Sequence, residues 1–273
     1  LIRQRVAEVV IAMRDPHPKV AGAGSELLRQ AGIRVRLGLM AEAAARLNEG
    51  FVSRVTRGRP FVRLKTAASL DGRTAMADGQ SQWVTGPEAR ADVQRWRAAS
   101  GAILTGIGTV VADDPALSVR DRSLTHLPPL RAVLDSRLRM PTSAVMLTLP
   151  GDAHVFCIDD GRRALLEAVG ATVHRVAARD GQVDPAAVLH ALAGLDINDV
   201  LVEAGARLSG ALLAGGWVDE LVIYQAPHIM GSETRGMFET PGWRKLEQRL
   251  ALELVDVRRF GGDTRIIARP RVA

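Results

Sequence analysis

Three pieces of one stretch decide the fold. They are F-V-R-L-K-T-A-A-S-L-D-G-R-T-A at 61–75, S-Q-W-V-T at 81–85, and T-G-I-G-T-V-V-A-D-D-P-A-L-S-V-R at 105–120. Apolar and polar residues alternate over 61–67, which predicts a strand with one buried face. The S-L-D-G at 69–72 then reads as a turn. Residues 87–97 predict a helix, with Pro87 in its first turn and Ala89, Val93 and Trp96 at helical spacing. Residues 102–104 predict a short buried strand, and G-I-G-T at 106–109 is a glycine-rich turn into another helix. A strand, a glycine turn and a helix N-terminus form a cradle for phosphate, because open backbone N–H groups and the helix dipole both favour an anion there. One G-x-G is equally an ordinary turn; the order of the whole stretch is what is specific.

Toward the N-terminus the pattern predicts a strand over 7–13, a helix over 20–31 and a strand over 33–37. A single amphipathic helix is expected over 40–55, with Leu47 and Phe51 on one side. This β-α-β-α unit is short for a domain of its own, and T-R-G-R-P at 56–60 marks its junction with the remainder of the chain. Toward the C-terminus, a proline-bearing loop is expected over 121–130 and a strand over 132–134, followed by Asp135, Ser136 and Arg137. Strands over 154–158, 171–176 and 199–202 alternate with helices over 162–169 and 185–193. V-E-A-G-A-R-L-S-G at 202–210 is a second strand–glycine–helix junction, and a strand over 220–225 and a loop over 227–236 lead to closing strands over 252–258 and 264–268. Such alternation predicts an α/β fold with a mainly parallel sheet. The last two strands have no helix between them, so an antiparallel edge is expected.

The two glycine junctions can jointly hold a pyrophosphate. Each oriented helix terminus contributes about 0.3–1 kcal/mol for an anion. Neither junction matches G-x-G-x-x-G with an acidic residue about twenty positions on, so an ordinary Rossmann site is not supported.

Composition bounds the rest. At 273 residues and 47% hydrophobic, the chain can bury one large core or two smaller ones, and with 4% aromatics that core is built mostly from Val, Leu, Ile and Ala. No apolar run reaches the roughly 18 residues a membrane span needs, and no signal peptide opens the chain, so a cytoplasmic location is expected. A single cysteine, Cys157, excludes an internal disulfide framework and fits a reducing compartment. The first residue is Leu rather than Met, which predicts a piece of a longer protein. The net charge of +6 suits either anionic small molecules or an arginine-rich solvated surface. Nucleic acid is disfavoured, because the arginines are dispersed and aromatics for base stacking are few. His17, between two prolines, is expected in an exposed loop rather than on a metal.

From Phe61 to the C-terminus the chain resembles the reductase domain of the bifunctional riboflavin-biosynthesis deaminase–reductase family. The resemblance rests on L-K-T-A-A-S-L-D-G-R-T-A, S-Q-W-V-T-G, A-I-L-T-G-I-G-T-V-V-A-D-D-P-A-L-S-V-R, V-L-D-S, V-E-A-G-A-R-L-S-G-A-L-L, V-D-E-L and A-P-H-I-M-G, in family order and spacing. Residues 1–58 resemble the last strands and helices of the partner deaminase domain, giving expected units of 1–58 and 59–273. The zinc motif that deamination requires, an H-x-E with a P-C-x-x-C-type pair, is missing from this sequence, so neither zinc nor deaminase activity is expected.

The resemblance implies a dihydrofolate-reductase-like domain using NADPH. The implied reaction reduces 5-amino-6-(5-phosphoribosylamino)uracil to the ribitylamino product, with hydride reaching the sugar C1′. Residues matching cofactor-contact positions are Ala67, Trp83, Thr109, Asp113, Ser136 with Arg137, and the run Gly205, Ala206, Arg207, Leu208, Ser209, Gly210 and Ala211. Those matching substrate-contact positions are Ser81, Arg97, Leu117, Arg120 and Glu203. Arg97 and Arg120 suit phosphate, since guanidinium donors meet it bidentately, and Ser136 with Arg137 suits an adenosine 2′-phosphate. Lys65 and Glu203 are the candidate catalytic groups. Lys65 either faces the cleft or pairs with Asp71, which is itself a turn-former; Trp83 is read as a lid or cofactor contact. The family also implies a homodimer formed through the reductase domain. Two other readings stay open: a same-fold reductase of a pterin or another pyrimidine, and an inactive dimerisation scaffold.

Overall fold

The structure is a computed structural model that describes residues 1–125 and 127–271. His126, inside the loop expected over 121–130, and the last two residues of the expected 59–273 unit lie outside the described residues. The chain opens with β1 (Glu8–Ile11), α1 (Ala23–Gln30), β2 (Arg34–Leu37), α2 (Ala41–Leu47) and α3 (Glu49–Arg57). β1 and β2 pair in parallel as a separate two-stranded sheet. The single helix expected over 40–55 is broken at Asn48, which sits at φ −127°, ψ 32°. Its side-chain amide donates to the Ala44 carbonyl at 3.2 Å, the local competition for backbone groups that makes Asn a helix terminator. As a result Leu47 is 85% exposed and shares no buried face with Phe51.

The larger unit runs β3 (Phe61–Ser69), β4 (Arg73–Ala75), α4 (Pro87–Ala98), β5 (Ala102–Gly106), α5 (Ile107–Asp113), β6 (Leu130–Leu134), α6 (Val145–Thr148), β7 (Ala153–Cys157), α7 (Arg163–Glu167) and β8 (Ala171–Arg175). It continues through β9 (Ala178–Arg179), β10 (Gln182–Val183), α8 (Pro185–Gly194), β11 (Asp199–Val202), α9 (Ala206–Ala214), β12 (Glu220–Ala226), β13 (Arg235–Gly236), β14 (Leu252–Phe260) and β15 (Asp263–Pro270). The pieces with no counterpart in the sequence pattern are β4, α6, β9, β10 and β13. Each has two to four residues, fewer than a periodicity needs to declare itself. β13 pairs with β4 inside the segment expected to be loop.

Nine strands form one sheet in the order β14-β15-β12-β3-β11-β5-β6-β7-β8. From β12 to β8 every pairing is parallel, while β15 and β14 close the other end antiparallel. The chain leaves β3, builds β5 to β8 outward, and returns to insert β11 between β3 and β5. Such a reversal opens a crevice at the carboxyl ends of the central strands, where α/β sheets bind ligands.

Helices cover both faces. Leu64, Val202 and Leu104 pack against Val188, Leu189 and Leu192 of α8 and Leu212 of α9. Ile103 and Val133 on the opposite face pack against Ile107 and Val110 of α5, Met146 of α6 and Leu166 of α7. α4 lies over the antiparallel end, with Ala89 and Val93 on Val222 and Tyr224. Leu64 is fully buried, so its truncation to Ala costs about 2–5 kcal/mol by lost transfer energy and cavity formation.

Candidate active site

Register creates the site. Val202 of β11 lies opposite both Leu64 of β3 and Leu104 of β5. Glu203, the next residue, is therefore level with Lys65, and its N–H still donates to the Leu104 carbonyl at 2.9 Å. Lys65 Nζ stands 3.6 Å from Glu203 Oε2. From α4, Arg97 donates through Nε to Glu203 Oε1 at 2.6 Å and through Nη2 to Oε2 at 3.0 Å. Its Nη1 donates to the Ser118 carbonyl at 2.9 Å. All three charged side chains are largely buried, at 12–17% exposed. Burial alone would raise the Glu203 pKa, but the charges of Arg97 and then Lys65 outweigh it and hold the carboxyl down at about 2.

One expectation needs correcting here. The partner of Lys65 is Glu203 rather than Asp71. Asp71 lies beyond the strand end, where its carboxylate accepts from the Ser69 hydroxyl at 2.5 Å and the Gly231 N–H at 2.8 Å. The Arg97 guanidinium gives its Nε–H and one Nη2–H to Glu203 and one Nη1–H to the Ser118 carbonyl, which leaves one N–H on each terminal nitrogen for a further acceptor.

The remaining substrate positions lie on neighbouring segments. Leu117 is buried and adopts φ 42°. Arg120 is exposed, with its backbone N–H donating to Gln94 Oε1 of α4 at 2.8 Å. Ser81 is half-buried and Trp83 is 60% exposed, with the Arg90 guanidinium 4.8 Å from its ring centroid. Sequence reasoning missed Gln94 and Ser118. The one available signal was the i, i+3 spacing of Gln94 and Arg97, which places them together on a helix face.

The glycine junctions meet. A Cβ built on Gly205 would come within 4.0 Å of Thr109 Oγ1, and one on Gly106 would lie 3.3 Å from Leu208 Cδ2. Neither α5 nor α9 has a side-chain N-cap or an acidic residue in its first turn, so the leading N–H groups are open to an anion. Within the run from Gly205, the exposed residues are Gly205, Arg207 and Ala211, while Ala206 and Leu208 are half-buried. Ser209 is buried with its hydroxyl on the Ala204 carbonyl at 3.2 Å. Gly210 lies flush on the Glu239 backbone, where any side chain would collide.

Asp113, one turn beyond Thr109 on α5, is exposed, and partial desolvation nudges its pKa upward against the pull of the Arg235 charge. Ala67 is two residues past Lys65 on the same face of β3 and packs beside the α4 cluster. The Ser136 hydroxyl is already committed, donating to Gln182 Oε1 at 3.1 Å and accepting from the Val183 N–H at 3.0 Å. It tethers β10, which leaves the exposed Arg137 as the available cation beside it. Far from this cleft, His17 is half-buried with its ring stacked on Phe51 at 6.4 Å, more enclosed than its flanking prolines suggest. Among the described residues no cluster of three or more His, Cys, Asp or Glu is arranged to hold a metal, and no helix is long and apolar enough to cross a membrane.

Residues 60–266 match the family described as the RibD C-terminal domain. The chain belongs to the RibD family. It is 42% identical over 274 residues to the riboflavin biosynthesis protein RibD of Escherichia coli (strain K12), spanning 96% of this chain and 74% of that protein. The structure of Acinetobacter baumannii RibD, form 1, superposes with a TM-score of 0.89 at 41% identity, covering 99% of this chain and 75% of that one. A Thermotoga maritima diaminohydroxyphosphoribosylaminopyrimidine deaminase/5-amino-6-(5-phosphoribosylamino)uracil reductase gives a TM-score of 0.84 at 28% identity, over 99% of this chain and 73% of that chain. RibD membership makes the chain an oxidoreductase of riboflavin biosynthesis with a dihydrofolate-reductase-like α/β fold.

Proposed function

We propose that the chain reduces 5-amino-6-(5-phosphoribosylamino)uracil to its ribitylamino product with NADPH. The observation that carries this reading is the Lys65–Glu203–Arg97 cluster at the strand reversal, beside two uncapped helix N-termini. Those termini fit a dinucleotide pyrophosphate, which Gly205, Ala206, Arg207 and Thr109 would hold, while Ala67, Trp83 and Asp113 would add further contacts to NADPH and Arg137 would offer its charge to the 2′-phosphate. When bound, NADPH supplies the hydride that reaches the sugar C1′.

The chain's own residues do the rest. Lys65 is an ammonium donor within a largely buried pocket, placed to protonate the sugar oxygen or nitrogen as negative charge develops on it; such a positioned acid contributes about 10²–10⁴-fold. Glu203, ionised throughout the neutral range, is no proton donor. It anchors Lys65 and accepts hydrogen bonds. Arg120 takes the 5′-phosphate, with Ser81 and Leu117 lining the approach.

Deamination is not part of this proposal, because the zinc-binding and proton-transfer motif is missing from the sequence. We place the boundary between the deaminase-like remnant and the reductase unit at 58/59, and the enzyme in the cytoplasm. We assign a homodimer to the antiparallel end of the sheet. Register puts Leu254, Val257, Ile266 and Ile223 on the face opposite α4, with Leu254 67% and Val257 56% exposed. A second copy fits that apolar face.

The test is NADPH oxidation with the deaminated ribosylaminouracil phosphate, run beside the undeaminated pyrimidine. Turnover of the deaminated compound alone is expected. NADPH binding without turnover would point to another substrate, and no NADPH binding by folded protein would leave only a scaffold.

A further inference from the structure

Asp71 does more than turn the chain after β3. Besides the Ser69 hydroxyl, its carboxylate accepts the backbone N–H groups of Met230 at 3.1 Å and Gly231 at 2.8 Å. These bonds, the Ser69 hydroxyl first, hold its pKa down at about 2, so it is ionised throughout the neutral range. Met230 and Gly231 open the segment that leads into β13. Along it the Thr234 hydroxyl donates to the Gly231 carbonyl. The Thr74 hydroxyl then donates to the Arg235 carbonyl at 3.4 Å, where β13 pairs with β4.

The backbone of Arg235 is thus held, and its guanidinium serves two other segments. A Cβ built on Gly79 would lie 3.6 Å from Arg235 Nη2, in the turn that leads to Ser81 and Trp83. The Arg235 charge also pulls down the pKa of the exposed Asp113 on α5. Trp83 and Asp113 are both proposed NADPH contacts. An Asp113 carboxylate without a nearby cation would repel the phosphates of a dinucleotide.

We infer that Asp71 is a positioning residue for cofactor binding, which fixes the 230–235 segment so that Arg235 serves both Asp113 and the turn at Gly79. This deepens the NADPH reading and rests on it. Asp71 acts through the Met230 and Gly231 backbone and then Arg235. A turn-former alone would act on stability instead.

The experiment titrates NADPH, read by its fluorescence, into wild type, Asp71→Ala, Asp71→Asn, Arg235→Met, and Asp71→Ala combined with Arg235→Met. Asp71→Ala and Arg235→Met are each expected to weaken NADPH binding about tenfold, the loss of one charge-assisted contact. Combined, they should bind no more weakly than the worse single variant, because losing the anchor already removes what Arg235 does. In turnover, KM for NADPH should rise in Asp71→Ala while kcat at saturating cofactor stays near wild type, a split that general loosening of the fold would not give. Asp71→Asn keeps an acceptor oxygen for the Gly231 N–H and guards against misfolding; its affinity should fall between wild type and Asp71→Ala. Wild-type affinity in either single variant, or losses that multiply to about a hundredfold when combined, would overturn the inference and leave the NADPH reading intact. Folded wild type that binds no NADPH would remove both.

Discussion

β3 carries two cations on one face, two residues apart, and they live in opposite circumstances. Arg63 is saturated: it reaches Asp199 at 2.6 Å, Glu220 at 3.1 Å and Glu49 at 3.9 Å, and stacks 4.6 Å from the Phe61 ring centroid. Its carboxylates come from β11, β12 and α3, so it bolts the N-terminal unit to the sheet, and Gly50 of α3 lies so close to the Asp199 carboxylate that a Cβ there would push that carboxylate aside. Lys65 has one carboxylate at 3.6 Å, and that carboxylate is already held by Arg97. Equal burial, at 17% exposed for both, thus accompanies unequal satisfaction. A buried charge with all its partners in place supports the fold; one with donors to spare beside a cleft is available for chemistry.

The sharpest way to break this contrast is Lys65→Met. Its kcat should fall about 10²–10⁴-fold while the thermal midpoint stays close to wild type; a turnover loss below tenfold would remove Lys65 as the proton donor. Arg63→Met should do the reverse. Asp199, a quarter exposed, would lose its cation while Glu220 keeps Arg269 at 2.8 Å, so urea unfolding should show a loss of about 1–3 kcal/mol, with kcat of the folded fraction near normal. An unchanged urea midpoint would dissolve the distinction.

A smaller effect separates Arg137 from Ser136. Arg137→Ala should lower the preference for NADP over NAD by roughly tenfold to a hundredfold, the loss of one charge-assisted bond of about 1.5–3 kcal/mol. Ser136→Ala should leave that ratio unchanged and loosen the β10 tether; a ratio that moves only with Ser136 would reverse the assignment.

The smallest effect tests a site outside the contrast. His154 Nδ1 and His174 Nε2 share a hydrogen bond at 2.8 Å on neighbouring strands. Burial lowers both pKa values below the ordinary 6.5, and for His154 the facing His174 adds to the effect. The folded state therefore prefers them neutral. The stability this contributes is complete above about pH 6.5 and is lost as pH falls through the lowered folded values. A thermal midpoint that declines between pH 6.5 and 5 in wild type but stays flatter in His174→Phe would bear this out; parallel slopes would refute it.

Local pattern made much of this legible in advance. The alternation around Lys65, the glycine turns and the unbridged final strands specified the sheet, its parallel run and its antiparallel end. Contacts between distant segments were another matter. Nothing around Lys65 announces Glu203 as its partner, because their pairing depends on β11 entering between β3 and β5 in one register. Nothing around Arg97 announced that Glu203 would share it, because guanidinium chemistry suits phosphate and carboxylate alike. The capture of the Ser136 hydroxyl by β10 was hidden because a two-residue strand leaves no periodic trace. Asn48 was the exception: a local terminator was in plain sight within an otherwise continuous helical pattern.

The late insertion of β11 also governs when the protein can acquire its shape. β3 and β5 have no direct pairing in the finished sheet, so the strands synthesised first lack the member that joins them. Lys65 waits 138 residues for Glu203. At about 5–20 residues per second on the ribosome, that is roughly 7–28 s. Through that interval Val62 and Leu64 have no β11 beside them, so one edge of β3 stays unpaired until the carboxylate that meets Lys65 arrives with the strand that closes the core.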